Sequence, residues 1–418
     1  MLTPPKLKND CFALPPGVDW TPVDQALDRL RAALSTVVDV EELPTDQAAG
    51  RILAMPVQAR RANPPAANTA VDGYGFAFEA IGSGDVVLPL VEGRAAAGAP
   101  FDGAVPLGKA IRILTGALLP EGVDTVVLEE DTSSDGNAVA FAGRIKRGAN
   151  TRNAGEDVDA GDQLFPAGRR LGPPEVGLLA ATGVTEVTVY RRLRVGVLST
   201  GTEIVAPGST SNAAKTYDAN RPMLLALLRD LGLEPVDLGH VDDDRTALRS
   251  SLDKAVGQVE AILTSGGASA GDEDHVSGLL EETGSLADWR IALKPGRPLA
   301  LGVWNGVPIF GLPGNPVAAL VCTLIFARPA FGVLGGEGWA TPQGFTVPAA
   351  FAKSKKPGRR EYLRARINAD GAAEVFKSEG SGRISGLAWA DGLVEISDGA
   401  QEIAPGDPVR YIPYASFR

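Results

Sequence analysis

The sequence is poor in the residues that build disulfide-bonded and histidine-based sites. It has 418 residues but only two cysteines and two histidines. Two cysteines cannot form a disulfide framework, and neither Cys11 nor Cys322 stands at a metal-ligand spacing. A histidine-rich zinc site or a histidine-dependent triad would need His240 or His275 as its key residue. These shortages favour a reducing compartment and a site built from other residue types.

The sequence also lacks a basic surface and an evident membrane signal. Its 51 acidic residues exceed its 40 basic ones, which gives a net charge of −11. This balance argues against a nonspecific nucleic-acid or anionic-membrane surface, so an anionic ligand would need a local basic pocket. The first residues contain no apolar signal-peptide core, and no run approaches the roughly 18 apolar residues of a membrane span. We therefore predict a cytoplasmic protein with no nucleic-acid or membrane partner.

The composition is that of an ordinary globular protein, and the length indicates several domains. Hydrophobic residues make up 44% and charged residues 22%, and the length predicts about three domains. The segment TPVDQALDRLRAAL predicts an amphipathic helix with Thr21 as its N-cap. Short apolar runs between turn residues predict a β-rich insertion over 56–159, and the flanking segments 20–55 and 160–190 predict an N-terminal helical or linking domain.

The spacing of apolar residues changes twice in the second half of the chain. Over 191–335 short apolar runs alternate with helical patterns, which predicts a central parallel sheet covered on both faces by helices. Over 341–418 helical periodicity disappears, and segments such as REYLRARI and DPVRYIPY predict a small β-barrel or sandwich. The predicted fold class is therefore multidomain α/β plus β, with an N-terminal helical region and a β-rich insertion domain.

Three carboxylates follow successive strands of the predicted parallel sheet. Glu203 ends the segment LSTGTE, Asp243 follows the second strand and Asp274 follows the third. Ligands of such sheets bind beyond the carboxyl ends of the strands, so these side chains are expected at one rim. Because crowded like charges are costly without a cation, they predict a magnesium site. Helix capping and solvated rim charge are the alternative, above all for Asp243.

Glycines follow the third of these strands, and two cations follow another strand. Glycines allow close approach of the backbone to a ligand and let N–H groups point at an oxyanion, although a tight strand-to-helix turn is the alternative. LKPGRP places Lys294 and Arg297 on a Pro-Gly turn, and GLPGNP places Asn315 at a helix start. These segments predict a pocket for a small oxyanion. The candidate backbone residues of TSGGASAG are Gly266, Gly267, Ser269 and Gly271.

Eight segments occur in the order and spacing of a known family. They are NTAVDGYGF, RILTGALLPEGVDTVVLEE, NAGEDVDAGD, LSTGTEI, YDAN, TSGGASAGDEDH, LKPGRP and GLPGNP. The chain thereby resembles the molybdopterin molybdenumtransferases of the MoeA type, which include the E domain of gephyrin. The resemblance covers nearly the whole chain and agrees with the predicted architecture.

The resemblance implies an activity. Members of this family insert molybdate into adenylylated molybdopterin with magnesium-dependent release of AMP, which completes the molybdenum cofactor. They act as homodimers in which the insertion domain of one protomer completes the other's cleft. The adenylylating enzyme and recipient molybdoenzymes are further implied partners. The alternatives are a noncatalytic cofactor carrier, a divergent paralogue that uses tungstate or a related pterin, and a magnesium-dependent hydrolase of nucleotide-like substrates.

The resemblance also implies site residues. Acidic active-site positions are matched by Asp72, Asp157, Glu203, Asp243 and Asp274, of which the last three are assigned to magnesium and the first two would act across the homodimer. Molybdate-binding positions are matched by Lys294, Arg297, Arg364 and Ser381. The pterin and phosphate side is assigned to Thr200, Gly201, Gly266, Gly267, Ser269, Gly271, Pro313 and Asn315.

The sequence departs from the family pattern at several positions. They are Ala66, Ala67, Val71 and Thr202, together with Arg290 and Arg297, which stand where lysines are common. An arginine keeps the charge but presents a planar fork rather than a compact ammonium. These departures bear on recognition of the pterin more than on molybdate binding.

Overall fold

The chain forms two compact units. One contains Glu42–Ala49 and Met55–Val189, and the other contains the residues up to Glu41, Gly50–Ala54 and Tyr190–Arg418. The computed structural model describes residues 20–209, 212–266, 275–283, 286–296 and 298–418. Five predicted site residues therefore lie outside the described residues: Gly267, Ser269, Gly271, Asp274 and Arg297.

The unit of 42–49 and 55–189 is mainly β-structure. In its core the ring of Phe76 stacks on Phe141 at 5.0 Å. Its six-stranded sheet has the order Thr125–Leu128, Gly73–Phe76, Ala110–Ile113, Asp85–Ala95, Ala138–Ala142 and Thr132–Ser134. The shorter elements in this part of the chain are strands Val40–Pro44, Val57–Gln58, Asn68–Thr69, Thr151–Arg152, Gln163–Phe165 and Glu186–Tyr190, helix Pro173–Ala181, and 3-10 turns Thr45–Gln47, Phe78–Ala80 and Glu129–Asp131.

The first helix in the described part of the chain is Val23–Ala33. The prediction that Thr21 is its N-cap is wrong, because Pro22 occupies that position without a side-chain hydrogen bond. The backbone of Thr21 is instead in a β-bridge: its N–H donates to the carbonyl of Arg290, and its carbonyl accepts the N–H of Ala292, both at 2.8 Å. This pairing holds residue 21 in an extended segment outside the helix.

A six-stranded sheet forms the centre of the larger unit. Its order is Glu234–Val241, Arg194–Thr200, Ala261–Ser265, Val307–Leu312, Pro298–Trp304 and Leu286–Arg290. The first four strands are parallel, as the sequence predicts, and the last two are antiparallel to their neighbours. Asn305 and Gly306, with φ of 46° and 87°, form the tight turn that makes two of these strands a hairpin. An Asn-Gly pair is a strong hairpin signal.

The helices around this sheet include one long apolar stretch. Pro316–Leu334 has 19 residues and a mean hydropathy of 2.0, which is long and apolar enough to span a membrane, so the expectation that no run approaches this length is wrong. Of this stretch 94% is buried inside the protein. Its Arg328 is buried, pairs with Glu337 at 2.9 Å and donates to the Phe417 carbonyl at 2.6 Å. The stretch is therefore a core helix of the unit.

The described helices around the sheet are Asn220–Asp230, Arg245–Ala255, His275–Glu282, Pro316–Cys322, the π-helical Thr323–Ala327 and Arg328–Leu334. Two short strands, Ile204–Val205 and Thr216–Tyr217, lie in the same unit.

The end of the chain is a β-structure, as predicted. Its main sheet has the order Leu293–Lys294, Arg360–Ile367, Gly392–Ile396, Pro408–Pro413 and Phe345–Pro348, with Ala373–Val375 beside Arg360–Ile367. Lys353–Lys355 pairs with Gln401–Ile403, and the remaining elements are helix Ser385–Trp389 and 3-10 turn Tyr414–Phe417. Lys294 pairs in register with Glu361. A residue of the α/β segment is thereby fixed on the edge of the C-terminal sheet.

Candidate active site

A cleft of about 1200 Å³ opens beyond the carboxyl ends of the parallel strands. Among the predicted site residues that the structure describes, seven line it: Thr200, Glu203, Gly266, Lys294, Pro313, Asn315 and Ser381. The rule that ligands of parallel sheets bind at the strand ends therefore finds a cleft at the expected place. Glu379 and Arg359 also line it, and neither is among the predicted site residues.

The strand ends present buried, uncharged polar groups to the cleft. Thr200, Ser265 and Asn220 are 6%, 5% and 7% exposed. Asn220 Nδ2 donates to Ser265 Oγ and to the Gly314 carbonyl, both at 2.7 Å, so one amide joins two strand-end loops. Thr200 Oγ1 and Asn220 Oδ1 have no hydrogen-bond partner among the described residues. Because buried polar atoms are costly when unpaired, these atoms are suited to bind a ligand.

Asn220 is held in place by the residue two positions before it. Asp218 is 4% exposed and accepts hydrogen bonds at 3.1 Å from the backbone N–H and from Nε of Arg221. Asp218 thereby fixes the first turn of helix Asn220–Asp230. The signal in the sequence is the YDAN segment, which belongs to the family pattern although no role follows for it from the sequence alone.

Two glycines allow the strand ends to pack closely. Gly201 has φ of 132°, and a side chain there would lie 2.7 Å from Glu203 Oε2. Gly266 has φ of 96°, and a side chain there would lie 2.6 Å from the Thr200 carbonyl oxygen. Both positions require glycine because L-residues with a side chain rarely adopt these angles. The atoms that a side chain at Gly201 or Gly266 would meet therefore belong to the protein itself, to Glu203 and Thr200.

The predicted metal-binding carboxylates have different surroundings. Glu203 is exposed on the cleft lining. Asp243 uses its carboxylate to accept the backbone N–H of Thr202 at 2.8 Å, and its own N–H donates to Thr202 Oγ1 at 3.1 Å. Helix capping, one alternative for Asp243, belongs instead to Asp244, whose side chain accepts the N–H of Ala247 at the start of helix Arg245–Ala255. The described part of the chain contains no group of three or more His, Cys, Asp or Glu residues that could hold a metal ion, so the magnesium assignment stays a prediction.

Two further predicted carboxylates lie in the β-rich unit and are exposed. Asp72 Oδ1 accepts hydrogen bonds from Oγ1 and from the backbone N–H of Thr115, both at 2.6 Å, and these bonds lower the pKa of Asp72. Asp157 Oδ2 accepts a hydrogen bond from Asn63 Nδ2 at 3.0 Å. A side chain at Gly73 would lie 1.9 Å from the Val127 carbonyl oxygen, so the residue after Asp72 must be glycine.

Lys294 belongs to a cluster of four charges, Lys294, Lys353, Glu361 and Glu379, which we call the lysine–glutamate cluster. Lys294 Nζ lies 2.6 Å from Glu379 Oε2 and 3.3 Å from both Glu361 oxygens. Lys353 Nζ lies 3.0 Å from Glu361 Oε2 and 2.5 Å from Glu379 Oε1. Burial acts to raise the pKa of Glu379, but hydrogen bonds from the two lysines lower it overall. Glu379 is therefore ionised at neutral pH.

Arg364 shapes the loop that carries Glu379 and Ser381. Its guanidinium is buried, donates to three backbone carbonyls of the loop 378–383 and lies over the ring of Phe376 at 5.0 Å. Ser381 lines the cleft. The structure thus places Arg364 as a support for this loop, and its binding of molybdate stays a prediction.

Comparisons with known proteins identify the family. The model described as the MoeA N-terminal region, domains I and II, matches 21–183; a probable molybdopterin binding domain matches 196–332; and the MoeA C-terminal region, domain IV, matches 346–414. A molybdopterin molybdenumtransferase of Haemophilus influenzae is 34% identical over 94% of this chain and 98% of its own length. The chain belongs to the MoeA family of molybdopterin molybdenumtransferases.

Other relatives agree with this assignment. A molybdopterin molybdenumtransferase of Nostoc is 34% identical over 90% of this chain and 89% of its own. A crystal structure of the molybdopterin biosynthesis MoeA protein of Pyrococcus horikoshii covers 95% of this chain and all of its own, with 26% identity and a TM-score of 0.83. The family resemblance and the fold class predicted from the sequence are both confirmed.

Proposed function

We propose that this MoeA-family protein is a transferase that inserts molybdate into adenylylated molybdopterin and releases AMP. The observation that carries the proposal is a cleft lined both by buried uncharged polar atoms and by Lys294 and Glu379 of the lysine–glutamate cluster. A phosphate-bearing pterin needs backbone and hydroxyl groups at strand ends, whereas a tetrahedral dianion needs ammonium groups. The relatives' names, molybdopterin molybdenumtransferase, support the molybdenum-transfer part of this reaction.

The proposed reaction exchanges ligands on the metal without a change in its oxidation state. Two Mo–O bonds are replaced by two Mo–S bonds to the dithiolene, and the two departing oxygens leave as water with the two thiol protons and two further protons. Hydrolysis of the phosphoanhydride consumes one water and releases AMP. In this scheme Lys294 holds the oxyanion, while Thr200 binds the phosphate end of the pterin.

Magnesium would be held mainly by the phosphates of the substrate. This ion usually keeps several waters and takes one or two carboxylates in addition to phosphate oxygens. The exposed carboxylate of Glu203 on the cleft lining fits that role, and the resemblance adds Asp274. When bound, the ion would neutralise phosphate charge. Asp243 would act indirectly by holding Thr202 in the turn that leads to Glu203.

A homodimer is part of the proposal. Asp72 is exposed and held ionised by Thr115, which suits a carboxylate that acts in the cleft of a second copy. A mixture of Asp72→Asn and Lys294→Ala proteins tests this, because a heterodimer would contain one cleft with both residues intact. Recovery of activity on mixing supports the proposal. A mixture that is no more active than the two separate variants contradicts it. The adenylylating enzyme and recipient molybdoenzymes would be its partners in the cytoplasm.

The central test combines purified protein, adenylylated molybdopterin, magnesium and molybdate, with tungstate in parallel. We expect molybdate-dependent AMP release and a product that reconstitutes a molybdoenzyme. Tight pterin binding without AMP release would favour the noncatalytic carrier. Preferential use of tungstate would favour the divergent paralogue, and release of AMP without an oxyanion would favour the hydrolase.

A further inference from the structure

The lysine–glutamate cluster contains one fixed and one displaceable carboxylate. Glu361 lies in strand Arg360–Ile367, which is paired on both sides, and its side chain is 9% exposed. Glu379 lies in the loop between Ala373–Val375 and Ser385–Trp389, and its side chain is 46% exposed. A half-exposed carboxylate on a loop exchanges its ion-pair partners for water far more readily than a buried one on a central strand. Glu379 is therefore the member of the cluster that can move.

Glu379 makes the contacts that an oxyanion would make. Its two oxygens contact two ammonium groups, Lys294 Nζ at 2.6 Å and Lys353 Nζ at 2.5 Å. Two oxygens of a tetrahedral ion would contact the same pair of donors. Glu379 and Lys294 line both the large cleft and a second cavity of about 190 Å³, which Lys353 and Arg364 also line. The carboxylate thus lies where the two cavities meet, paired with Lys294, which lines both, and with Lys353, which lines the smaller one.

We propose that Glu379 is a specificity-determining residue, a displaceable counter-ion that competes with the incoming oxyanion for Lys294 and Lys353. The inference rests on the proposed function, in which Lys294 binds the oxyanion. With Glu379 in place the four side chains have no net charge, so an approaching anion must replace the carboxylate to bind. A tetrahedral dianion replaces it more readily than a monoanion of the same size, because the attraction to both ammonium groups scales with charge. Lys353 then becomes the second cation of the oxyanion site.

The test is direct binding of tungstate and of perrhenate to the full chain by calorimetry. Perrhenate is a tetrahedral monoanion close to tungstate in size. In the Glu379→Gln variant we expect tungstate to bind at least about tenfold more tightly, since a charge-assisted contact no longer has to be broken, and perrhenate binding to become measurable. A gain is opposite to the loss expected when an ordinary binding residue is removed.

Glu374→Gln is the matched control. Glu374 forms an ion pair with Arg366 in the same C-terminal sheet, and its removal changes the net charge by the same amount. We expect its tungstate affinity to equal that of the unmodified protein. An equal gain in both variants would overturn the proposal, because the effect would then come from overall charge.

Other outcomes separate this inference from the proposed function. If the unmodified protein binds tungstate and Glu379→Gln binds it equally or more weakly, the competition is overturned and the transferase stands. If neither protein binds tungstate or molybdate, the oxyanion site at Lys294 is overturned together with the inference. A gain in Glu379→Gln without AMP release in the turnover assay would support the inference against the transferase. Glu379→Ala, checked with the first variant by thermal unfolding, provides a second protein with the same expected gain.

Discussion

The strand ends and the lysine–glutamate cluster prepare binding groups in opposite ways. At the strand ends Thr200, Ser265 and Asn220 present uncharged, buried groups, and Thr200 Oγ1 has no partner among the described residues. In the cluster every group is charged, and each charge has two oppositely charged neighbours. The strand ends keep hydrogen-bonding atoms unpaired and available to a ligand, whereas the cluster keeps every charge paired.

Desolvation explains the difference. A buried hydroxyl without a partner costs about 1–3 kcal/mol, whereas a buried ion that loses its partner costs about 3–5 kcal/mol. The fold can therefore leave a hydroxyl unpaired until a ligand arrives, but a lysine near the interior must be paired at all times. Binding at the strand ends is preorganised, and binding at the cluster requires an exchange of partners.

The largest effect is expected for Lys294→Ala, which removes the cation shared by the cleft and the cluster. We expect oxyanion affinity to fall by about a hundredfold, since charge-assisted contacts are among the strongest polar ones, and AMP release to recover in part with excess molybdate. Pterin affinity should stay within about twofold, because the strand ends are intact. The measurements are tungstate calorimetry and turnover over a range of molybdate concentrations. A turnover defect that does not depend on molybdate concentration would contradict this role.

Asn220→Ala should affect the strand ends alone. It removes the hydrogen bonds to Ser265 and Gly314, so we expect a loss of about 1–3 kcal/mol in the free energy of unfolding and a loss of pterin affinity of about tenfold. Tungstate affinity should change little. Urea unfolding and binding of both ligands measure these effects. A parallel loss of tungstate affinity would mean that the strand ends and the cluster are coupled and do not bind their ligands independently.

Thr200→Val and Thr264→Val separate binding from stability. Both hydroxyls are buried and have no hydrogen-bond partner among the described residues, but Thr200 lines the cleft and Thr264 is a fully buried strand residue. Replacing such a hydroxyl by a methyl group leaves the unfolding free energy within about 1 kcal/mol or raises it. We expect weaker pterin binding, by about fivefold, for Thr200→Val alone. Equal binding by the two variants would remove Thr200 from the ligand site.

The position of the cleft could be predicted from the sequence, because short apolar runs indicate buried parallel strands and ligands lie beyond their ends. This reasoning finds Glu203 and Asn315 without knowledge of any contact, whereas Thr200 comes from the family resemblance. The contacts that set the chemistry could not be predicted. Lys294 and Glu379 are 85 residues apart, and their pairing depends on strand Leu293–Lys294 joining the C-terminal sheet, which no local pattern encodes.

Local patterns also fail where tertiary pairing decides. Thr21 has the residue type of an N-cap, but β-bridging of its backbone excludes it from the helix. Arg328 interrupts the apolar run Pro316–Leu334 and hides its length, although the buried ion pair with Glu337 lets the charge lie inside a core helix. Both cases concern backbone or charged groups whose partners lie far away in the sequence.

The smallest effect concerns stability in acid and tests how firmly Glu379 is held. Hydrogen bonds from Lys294 and Lys353 outweigh burial and lower the pKa of Glu379 below its ordinary value of 4.5. The folded state therefore binds fewer protons than the unfolded state in this range, so the contribution of Glu379 is complete above pH 4.5 and is lost as the pH falls through its lowered pKa.

Because Glu379 is half-exposed, solvent screening limits this contribution to about 1 kcal/mol or less. We expect the unfolding free energy of Glu379→Gln to fall less steeply below pH 4.5 than that of the unmodified protein, as measured by urea unfolding at closely spaced pH values. Glu374→Gln gives the slope for loss of an exposed ion pair in the same sheet. If the unmodified protein and Glu379→Gln lose stability in parallel, the two lysines hold Glu379 only weakly. A small barrier to its displacement would then make the cluster nearly as open to an anion as the strand ends are to a hydrogen-bonding ligand.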